Sequence, residues 1–190
     1  MLEIRIHGRG GQGAQVACQL LAAAFFRAGD EVQAFAAYGG ERRGAPVTAF
    51  LRVDGRPIRL RCDIERADAL IVLDRTLLAE LAPGALRPGG LLVVNAAAAV
   101  TPPFPARVVT IDAGAIAEAA GLAGIVSTAM LGAFAAASGL LSIGVLAAAV
   151  AEGSPGRAVE NAAACRAGYY AAAALPVIET GPVWEGVSRG

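Results

Sequence analysis

One stretch near the start of the chain, Ile4 to Gly13, constrains the fold most. It predicts a short strand, a glycine-rich turn and the first residues of a helix. Gly8, Gly10 and Gly13 have the G-x-G-x-x-G spacing of dinucleotide-binding turns. Such a turn points unpaired backbone N–H groups and the positive end of a helix dipole at one spot, and Arg9 adds a positive charge there. The stretch therefore indicates an anion or phosphate site at the edge of a parallel sheet.

The second predicted strand, residues 31–36, does not complete a nucleotide site. A Rossmann unit places an acidic residue at the carboxyl end of this strand, where it binds a ribose hydroxyl. Here Asp30 and Glu31 stand at the start of the strand, and the first carboxylate after its end is Glu41. Two interpretations of the turn stay open: it binds NAD or FAD, or it has another role, including turn geometry alone.

Composition limits the class of protein. The 190 residues are 56% hydrophobic, which suits one α/β domain with its own core. The formal net charge is zero, so we expect no non-specific binding of nucleic acid. The chain contains no lysine, which excludes Schiff-base chemistry and a P-loop lysine.

Cysteine and histidine usage predicts neither a metal site nor a catalytic residue. Cys18, Cys62 and Cys165 are too scattered for a C-x-x-C metal or iron–sulfur site. We expect them to be unpaired and buried, as suits a reducing cytoplasm. The one histidine, His7, ends the first strand and is expected to be a hydrogen-bonded structural residue. That strand begins at once, so no signal peptide is predicted.

Alternating strand and helix patterns predict an α/β fold, with a Rossmann-like, mostly parallel sheet, helices on both faces and an inserted β-hairpin. The hairpin pairs two strands around Asp54-Gly55 at one edge of the sheet. Asp74 and Asp112 are predicted to cap helices. Further strands are predicted at residues 47–53, 57–61, 69–73, 91–94 and 108–111, and helices at residues 11–28, 74–81 and 112–120.

The charge-free stretch of residues 119–151 has the length of a membrane span. Polar residues and five glycines divide it, so we predict two shorter helices instead, the second capped by Ser142. Ser154-Pro155 predicts the start of a last helix that runs to about Ala174. Residues 176–190 have no periodicity and are predicted to be an irregular tail.

Two glycine-rich loops are expected to face one crevice. Ligands of open α/β sheets bind at the carboxyl ends of the strands, where the first turn meets the loop of residues 38–46. That loop is rich in arginine, the residue suited to bidentate pairing with carboxylates and phosphates. The predicted ligand- or interface-binding residues are Gly8, Arg9, Gly10, Gly11, Gln12, Gly13, Glu41, Arg42, Arg43 and Gly44.

The same residues resemble a known family. Residues 2–74 are similar to the gamma subunit of 2-oxoacid:ferredoxin oxidoreductases, and residues 41–47, Glu-Arg-Arg-Gly-Ala-Pro-Val, look like the pyruvate or branched-chain 2-oxoacid type. The matching segments are residues 3–13, 33–35, 40–50 and 68–74. Shorter matches in the helical half are Met130-Leu131-Gly132, Glu160-Asn161 and Gly168-Tyr169.

The resemblance implies a single gamma-type domain over residues 1–190, with the irregular tail at its end, and a defined role. Such complexes decarboxylate a 2-oxo acid on thiamine diphosphate and magnesium, pass electrons through iron–sulfur clusters to ferredoxin, and transfer the acyl group to coenzyme A. This chain has no thiamine diphosphate motif and no cluster cysteines. The resemblance therefore implies alpha, beta and delta-type partner subunits that hold those cofactors, and a cytoplasmic complex without a membrane or nucleic-acid partner.

Within that role, the amides of Gly10 to Gly13 would line a crevice toward a partner subunit and the approach of coenzyme A. Arg42 and Arg43 would form ion pairs across the interface, and Glu41 would orient them. Two other interpretations are a free-standing Rossmann protein that binds NAD or FAD, and an assembly module whose glycine turn binds nothing.

Overall fold

The computed structural model describes residues 1–37, 44–122 and 124–180. Within these ranges the chain forms seven strands, five α-helices and one 3₁₀ helix, Arg75–Glu80. The strands are β1 Leu2–Arg9, β2 Glu31–Ala37, β3 Pro46–Asp54, β4 Ala67–Val72, β5 Leu86–Asn95, β6 Ala106–Ile111 and β7 Ile178–Thr180. The α-helices are α1 Ala14–Arg27, α2 Ala113–Ala119, α3 Ser127–Ser138, α4 Ile143–Gly153 and α5 Ala158–Ala173.

The strands form one sheet in the order β2-β3-β1-β4-β5-β6-β7. β1, β4, β5 and β6 are parallel neighbours, whereas β3 is antiparallel to both β1 and β2, and β7 is antiparallel to β6. Five of the seven strands thus point the same way, as the predicted mostly parallel sheet requires. The charge-rich strand β3 lies inside the sheet, between β1 and β2, and not at an edge as predicted.

The second arm of the predicted hairpin is absent, since residues 57–61 form no strand. Pro57 has no N–H to offer a ladder. Side chains of the sheet instead bind the backbone nearby: Gln33 donates to the Leu60 carbonyl at 2.7 Å, and Arg52 donates to the Cys62 carbonyl at 2.8 Å. The antiparallel partner of β3 that the hairpin pattern suggested is β2.

One face of the sheet, the helical face, packs against all five α-helices. Side chains alternate along a strand, so Ile4 and Ile6 of β1 point to this face with Leu51 of β3 and Ile71 of β4. α3 and α5 pack closest together, because an added Cβ on Gly132 or Gly168 would overlap the backbone of the facing helix. The two family-like segments, Met130-Leu131-Gly132 and Gly168-Tyr169, therefore lie where α3 and α5 cross at close range.

The opposite face, called the second face below, is covered only by the 3₁₀ helix and irregular segments among the described residues. Its apolar core joins strand residues such as Leu70 and Leu92 to Leu77 and Leu78 of the 3₁₀ helix. Helices therefore lie on both faces, but very unequally. On β1 this face carries polar side chains, because Glu3, Arg5 and His7 alternate with Ile4 and Ile6.

Helix termini follow the predicted caps in most places. Asp74, Asp112 and Ser142 each accept a hydrogen bond from a backbone N–H of the helix that they precede. No helix in the described ranges has the length and apolar character needed to cross a bilayer.

Four local predictions are wrong. α1 begins at Ala14 and not at residue 11, because Gly11 and Gly13 take left-handed φ angles of 99° and 81°. α5 does not begin at Ser154, whose hydroxyl instead donates to the Val150 carbonyl at the end of α4 at 2.6 Å. The tail contains strand β7. Cys62 is exposed, although Cys18 and Cys165 are buried as expected.

Candidate functional site at the carboxyl edge of the sheet

The glycine turn follows β1 at the carboxyl edge of the parallel strands. Gly8 lets α1 lie close to the sheet, since an added Cβ would be 3.1 Å from Leu73 Cδ1 and 3.3 Å from Ala14 Cβ. Gly11 and Gly13 supply the left-handed backbone that reverses the chain into α1. The first and last glycines of the motif thus have separate structural reasons: close packing and turn geometry.

The turn is hydrogen-bonded to the end of the second glycine-rich loop. The Gly10 N–H donates to the Ala45 carbonyl at 2.8 Å, and the Gly44 N–H donates to the Gly10 carbonyl at 3.3 Å. This pair of bonds extends the β1–β3 ladder past its last residues, Arg9 and Pro46. Glu41, Arg42 and Arg43 lie outside the described residues, so their predicted ion pairs stay predictions.

Arg9 connects three loops at this edge. Its guanidinium lies 3.2 Å from Asp74, and it donates to Thr76 Oγ1 at 2.7 Å and to the Gly44 carbonyl at 3.3 Å. A longer contact of 3.7 Å joins it to Glu80. The positive charge of Arg9, which was expected to attract an anion, is therefore partly balanced by the carboxylate of Asp74 in the same chain.

Gln12 completes the connection. Its Oε1 accepts from the Arg9 backbone N–H at 2.8 Å, and its Nε2 donates to Asp74 Oδ2 at 3.3 Å. Asp74 also accepts two bonds from Thr76, from the backbone N–H at 3.0 Å and from the hydroxyl at 2.7 Å. We call Arg9, Gln12, Asp74 and Thr76 the edge clamp.

The clamp sets the protonation of Asp74. Partial burial raises the pKa of this carboxyl, but hydrogen bonds from Thr76 and Gln12 and the charge of Arg9 outweigh burial, so the pKa lies below its ordinary value of 3.8. Asp74 is therefore ionised at neutral pH and holds the turn and the loop end in one arrangement.

Some donors of the turn have no partner within the described ranges. The N–H groups of Gly10 and Gln12 are used inside the turn and the loop, whereas those of Gly11 and Gly13 are not. α1 has no side-chain cap at its first turn, and neither has α3. Ser127 at the start of α3 is 2% exposed, and its Oγ would be 3.1 Å from a Cβ added to Gly13. Of the four amides predicted to line a crevice, two thus have no acceptor among the described residues.

His7 has the structural role expected of it in part. It is 6% exposed, and its Nδ1 is 3.3 Å from Thr48 Oγ1. Burial, and then the charge of Arg5, lowers the pKa of His7 from 6.5 to about 3, so the ring is neutral. Its Nε2, however, is buried without a hydrogen-bond partner in the described part of the chain.

Sequence reasoning missed the carboxylate and hydroxyl that complete the clamp. Asp74 was predicted only as a helix cap, and Thr76 was not singled out. Both stand directly after the strand parallel to β1, and this position at the carboxyl edge is the signal that could have identified them. The alternation of Glu3, Arg5 and His7 with isoleucines was likewise the sign of a polar face on β1. Within the described ranges, no three His, Cys, Asp or Glu side chains lie close enough together to hold a metal ion.

Comparison with known proteins decides the family. Residues 3–171 match the family described as pyruvate ferredoxin/flavodoxin oxidoreductase. This chain belongs to that family. It is similar to the pyruvate/ketoisovalerate oxidoreductases common subunit gamma of Thermococcus kodakarensis, 45% identical over 151 residues, which cover 75% of this chain and 81% of that protein. It is 44% identical over 172 residues to the pyruvate synthase subunit PorC of Methanothermobacter marburgensis, covering 89% and 96% of the two chains.

A solved structure agrees with the fold. The pyruvate oxidoreductase subunit PORC of Thermotoga maritima superposes with a TM-score of 0.77 at 35% identity, and the match covers 89% of this chain and 95% of that one. The predicted gamma-subunit family is thereby confirmed, and these matches do not support the alternative of a free-standing NAD- or FAD-binding protein.

Strand order gives a physical reason against the dinucleotide alternative. A Rossmann unit places its second strand beside the first, so that a carboxylate at its end reaches the ribose. Here β3 separates β2 from β1, and it runs antiparallel to both. The glycine turn therefore lacks the neighbouring strand end on which a dinucleotide site depends.

Proposed function

We propose that this chain is the gamma subunit of a multisubunit 2-oxoacid:ferredoxin oxidoreductase of the pyruvate or branched-chain type. The observation that supports this most is the near-complete match to relatives so named, over 89% of this chain and 96% of the relative in the methanogen PorC comparison. The complex converts a 2-oxo acid and coenzyme A to acyl-CoA and carbon dioxide, and the electron pair released passes to ferredoxin.

The cofactors of that reaction belong to the partner subunits in this proposal. Thiamine diphosphate with magnesium supplies the decarboxylation chemistry, and iron–sulfur clusters carry the electrons, in alpha, beta and delta-type subunits. In the described residues, the three cysteines are free and two of them, Cys18 and Cys165, are buried, so they offer no cysteine set for a cluster. The complex is proposed to work in the cytoplasm, consistent with two buried, unpaired cysteines, Cys18 and Cys165.

This chain's own contribution is positional. The edge clamp fixes the glycine turn and the start of β3 as one unit, and the N–H groups of Gly11 and Gly13, which have no acceptor among the described residues, would offer donors to an anion. We propose that this surface helps to form the approach of coenzyme A, whose phosphates suit such donors. Glu41, Arg42 and Arg43 are proposed to lie at the same interface, where Arg42→Ala would sharply weaken assembly or turnover.

The test uses the reconstituted complex with Arg9→Met in this subunit. Losing the guanidinium removes its contacts to Asp74, Thr76 and Gly44 together, so the turn is no longer held against the loop. We expect the KM for coenzyme A to rise at least about tenfold, which corresponds to about 1.4 kcal/mol of lost binding, with little change in the KM for the 2-oxo acid.

Arg166→Met is the matched control, because Arg166 is exposed on α5 and is not part of the edge clamp. It should leave both KM values unchanged. An Arg9→Met complex that assembles and retains the normal KM for coenzyme A would contradict a role for the clamp in that approach.

A further inference from the structure

A pocket lies on the second face of the sheet, between β1, β3 and the 3₁₀ helix. It has a volume of about 130 Å³ and lies beside the edge clamp, since Glu80 in its lining contacts Arg9 at 3.7 Å. Four of its lining residues are apolar or cyclic: Pro46, Val47, Leu77 and Leu81. The other four are Arg5, His7, Thr48 and Glu80.

Arg5 brings a cation to this pocket, and the charge of Asp63 acts on it from beyond salt-bridge distance. Among the described residues, its Nη1 donates to the Glu65 carbonyl at 3.2 Å, and its guanidinium lies 5.9 Å from the centre of the Phe50 ring. No carboxylate of the described residues lies within salt-bridge distance of it. Its Nε is buried and has no hydrogen-bond partner in the same ranges. Leaving a buried charged donor unsatisfied is costly.

His7 brings a second unpartnered nitrogen to the same pocket. Because residues i and i+2 of a strand share a face, Arg5 and His7 lie side by side along β1. His7 Nδ1 lies 3.3 Å from the Thr48 hydroxyl, which can donate or accept, and in the tautomer in which the hydroxyl donates, the ring proton is on Nε2. Nε2 is then a second buried donor without an acceptor in the described part of the chain.

Two donors, one of them charged, need an anionic acceptor, and the apolar walls limit what can carry it. We propose that this pocket binds a single carboxylate group, which accepts hydrogen bonds from Arg5 Nε and His7 Nε2. The small volume and the leucine walls suit a short alkyl chain behind the carboxylate. Glu80, which also lines the pocket, repels any anion and repels a dicarboxylate more, so monocarboxylates are preferred to dicarboxylates.

The carboxylate has two sources that chemistry alone does not separate: a free short-chain acid, or an aspartate or glutamate side chain of a partner subunit. Both would place the same group on the same two donors. The NMR signal of His7 in the assembled complex distinguishes these two sources.

The test follows the ring of His7 by NMR. His7 is the one histidine of the chain, so in full-length protein prepared without a histidine tag and labelled with ¹³C,¹⁵N-histidine, its imidazole signal needs no assignment. We expect acetate and propionate to shift this signal along a saturable one-site curve and to hold the ring in the Nε2–H tautomer. Succinate at matched ionic strength should bind at least about tenfold more weakly, and neutral acetamide should produce no saturable shift.

Variants identify the donors. Arg5→Met should weaken acetate binding at least about tenfold, because it removes the charge. Thr48→Val removes the bond that fixes the tautomer and should weaken binding less. Arg166→Met, exposed on α5, is the charge-matched control and should bind acetate normally. If Arg5→Met fails to fold, the succinate and acetamide comparisons and Thr48→Val still decide the question.

The assembled complex, with only this subunit labelled, separates the two sources. A His7 signal at the bound position without added acid, lost in Arg5→Met, indicates a carboxylate of a partner. A signal that still titrates with acetate in the complex indicates a free acid. The proposal is overturned if neither acetate nor assembly moves the signal saturably, or if acetamide or Arg5→Met protein gives the same response as acetate with the wild-type chain.

Neither outcome depends on turnover of the complex. Failure of the carboxylate proposal would leave the proposed gamma-subunit function untouched, and failure of that function would leave acetate binding by the isolated chain to be measured as described.

Discussion

The two faces of the sheet are built on different principles. On the helical face, five α-helices rich in small residues pack so tightly that two of them meet at glycines, Gly132 and Gly168. On the second face, the described residues provide a 3₁₀ helix and irregular segments as cover, and charged side chains lie buried among them. Arg52 is 1% exposed there and lies 2.9 Å from Glu3, which also contacts Arg87 at 2.6 Å.

This difference in packing suggests that the two faces contribute to different properties, stability and recognition. Close packing of small apolar residues gives stability and leaves little room for a ligand. Buried charges and unpartnered donors contribute less to stability, because desolvation opposes them, but they create places where outside groups can bind. We therefore assign stability chiefly to the helical face, and recognition to the second face and the carboxyl edge.

The largest expected effect tests the helical face. Gly132→Ala places a Cβ against the Cys165 carbonyl of α5 and 2.8 Å from the Tyr169 nitrogen, so the helices must separate. We expect a loss of about 3 kcal/mol or more in the free energy of unfolding, measured by urea denaturation.

Gly144→Ala is the matched control, because an added Cβ on this exposed α4 glycine meets only Ser142 Oγ, at 4.0 Å. It should stabilise the chain by roughly 0.5–1 kcal/mol. Equal effects of the two substitutions would mean that the crossing is looser than described.

The second prediction tests the buried charges. Glu3→Gln removes the negative charge shared by Arg52 and Arg87 while keeping an acceptor of the same shape. We expect a loss of about 1.5–3 kcal/mol, the range for hydrogen bonds to charged groups, measured by the same denaturation. Glu118→Gln on exposed α2 is the control and should change stability little. If Glu3→Gln left the free energy of unfolding unchanged, the charged network on the second face would have to be solvated.

The third prediction concerns pH. The folded pKa of His7 is lowered, so below pH 6.5 the unfolded chain binds a proton that the folded chain does not. Stability should therefore fall as pH drops from 6.5 toward 3, by up to roughly 1.4 kcal/mol per pH unit from this residue. His7→Gln should flatten that part of the profile. An unchanged slope in the variant would show that His7 titrates normally in the folded chain.

The smallest effect is expected at the edge clamp. The pKa of Asp74 is lowered, so its contribution is present above its ordinary pKa and lost as pH falls through the folded value. Asp74→Asn should cost about 1 kcal/mol at neutral pH and remove that acid-dependent part. Amide hydrogen exchange should accelerate at Gly10, whose N–H donates to Ala45. Unaltered exchange there would mean that the clamp does not hold the turn.

Patterns local in sequence predicted much of this fold. The strand-turn-helix at Ile4 to Gly13, and the caps Asp74, Asp112 and Ser142, follow from period and capping chemistry within a few residues. The position of β3 could not be predicted in this way, because its pairing with β1 and β2 is decided by contacts distant in sequence. The Asp54-Gly55 turn predicted a hairpin with residues 57–61, and this prediction is wrong because β3 pairs with the distant β2 instead.

The sequence predicted some of the residues of the candidate site, but not the contacts between them. Arg9 was identified, but its pairing with Asp74 and Thr76 depends on where the β4 end falls beside β1. The family could be identified chiefly from residues 2–74, since the matching segments there include both the glycine turn and the arginine loop. The pocket of Arg5 and His7 was not anticipated, because single side chains on an alternating strand give little sign of what covers them.

The central claim is that this chain works only as a subunit, on chemistry that its partners supply. The most direct measurement is 2-oxo-acid- and coenzyme-A-dependent reduction of ferredoxin by the partner subunits, with and without this chain, beside the chain alone. We predict that addition of this chain restores turnover to the partners and that the chain alone has none. Turnover by the isolated chain, or tight binding of NAD or FAD to it, would contradict the claim.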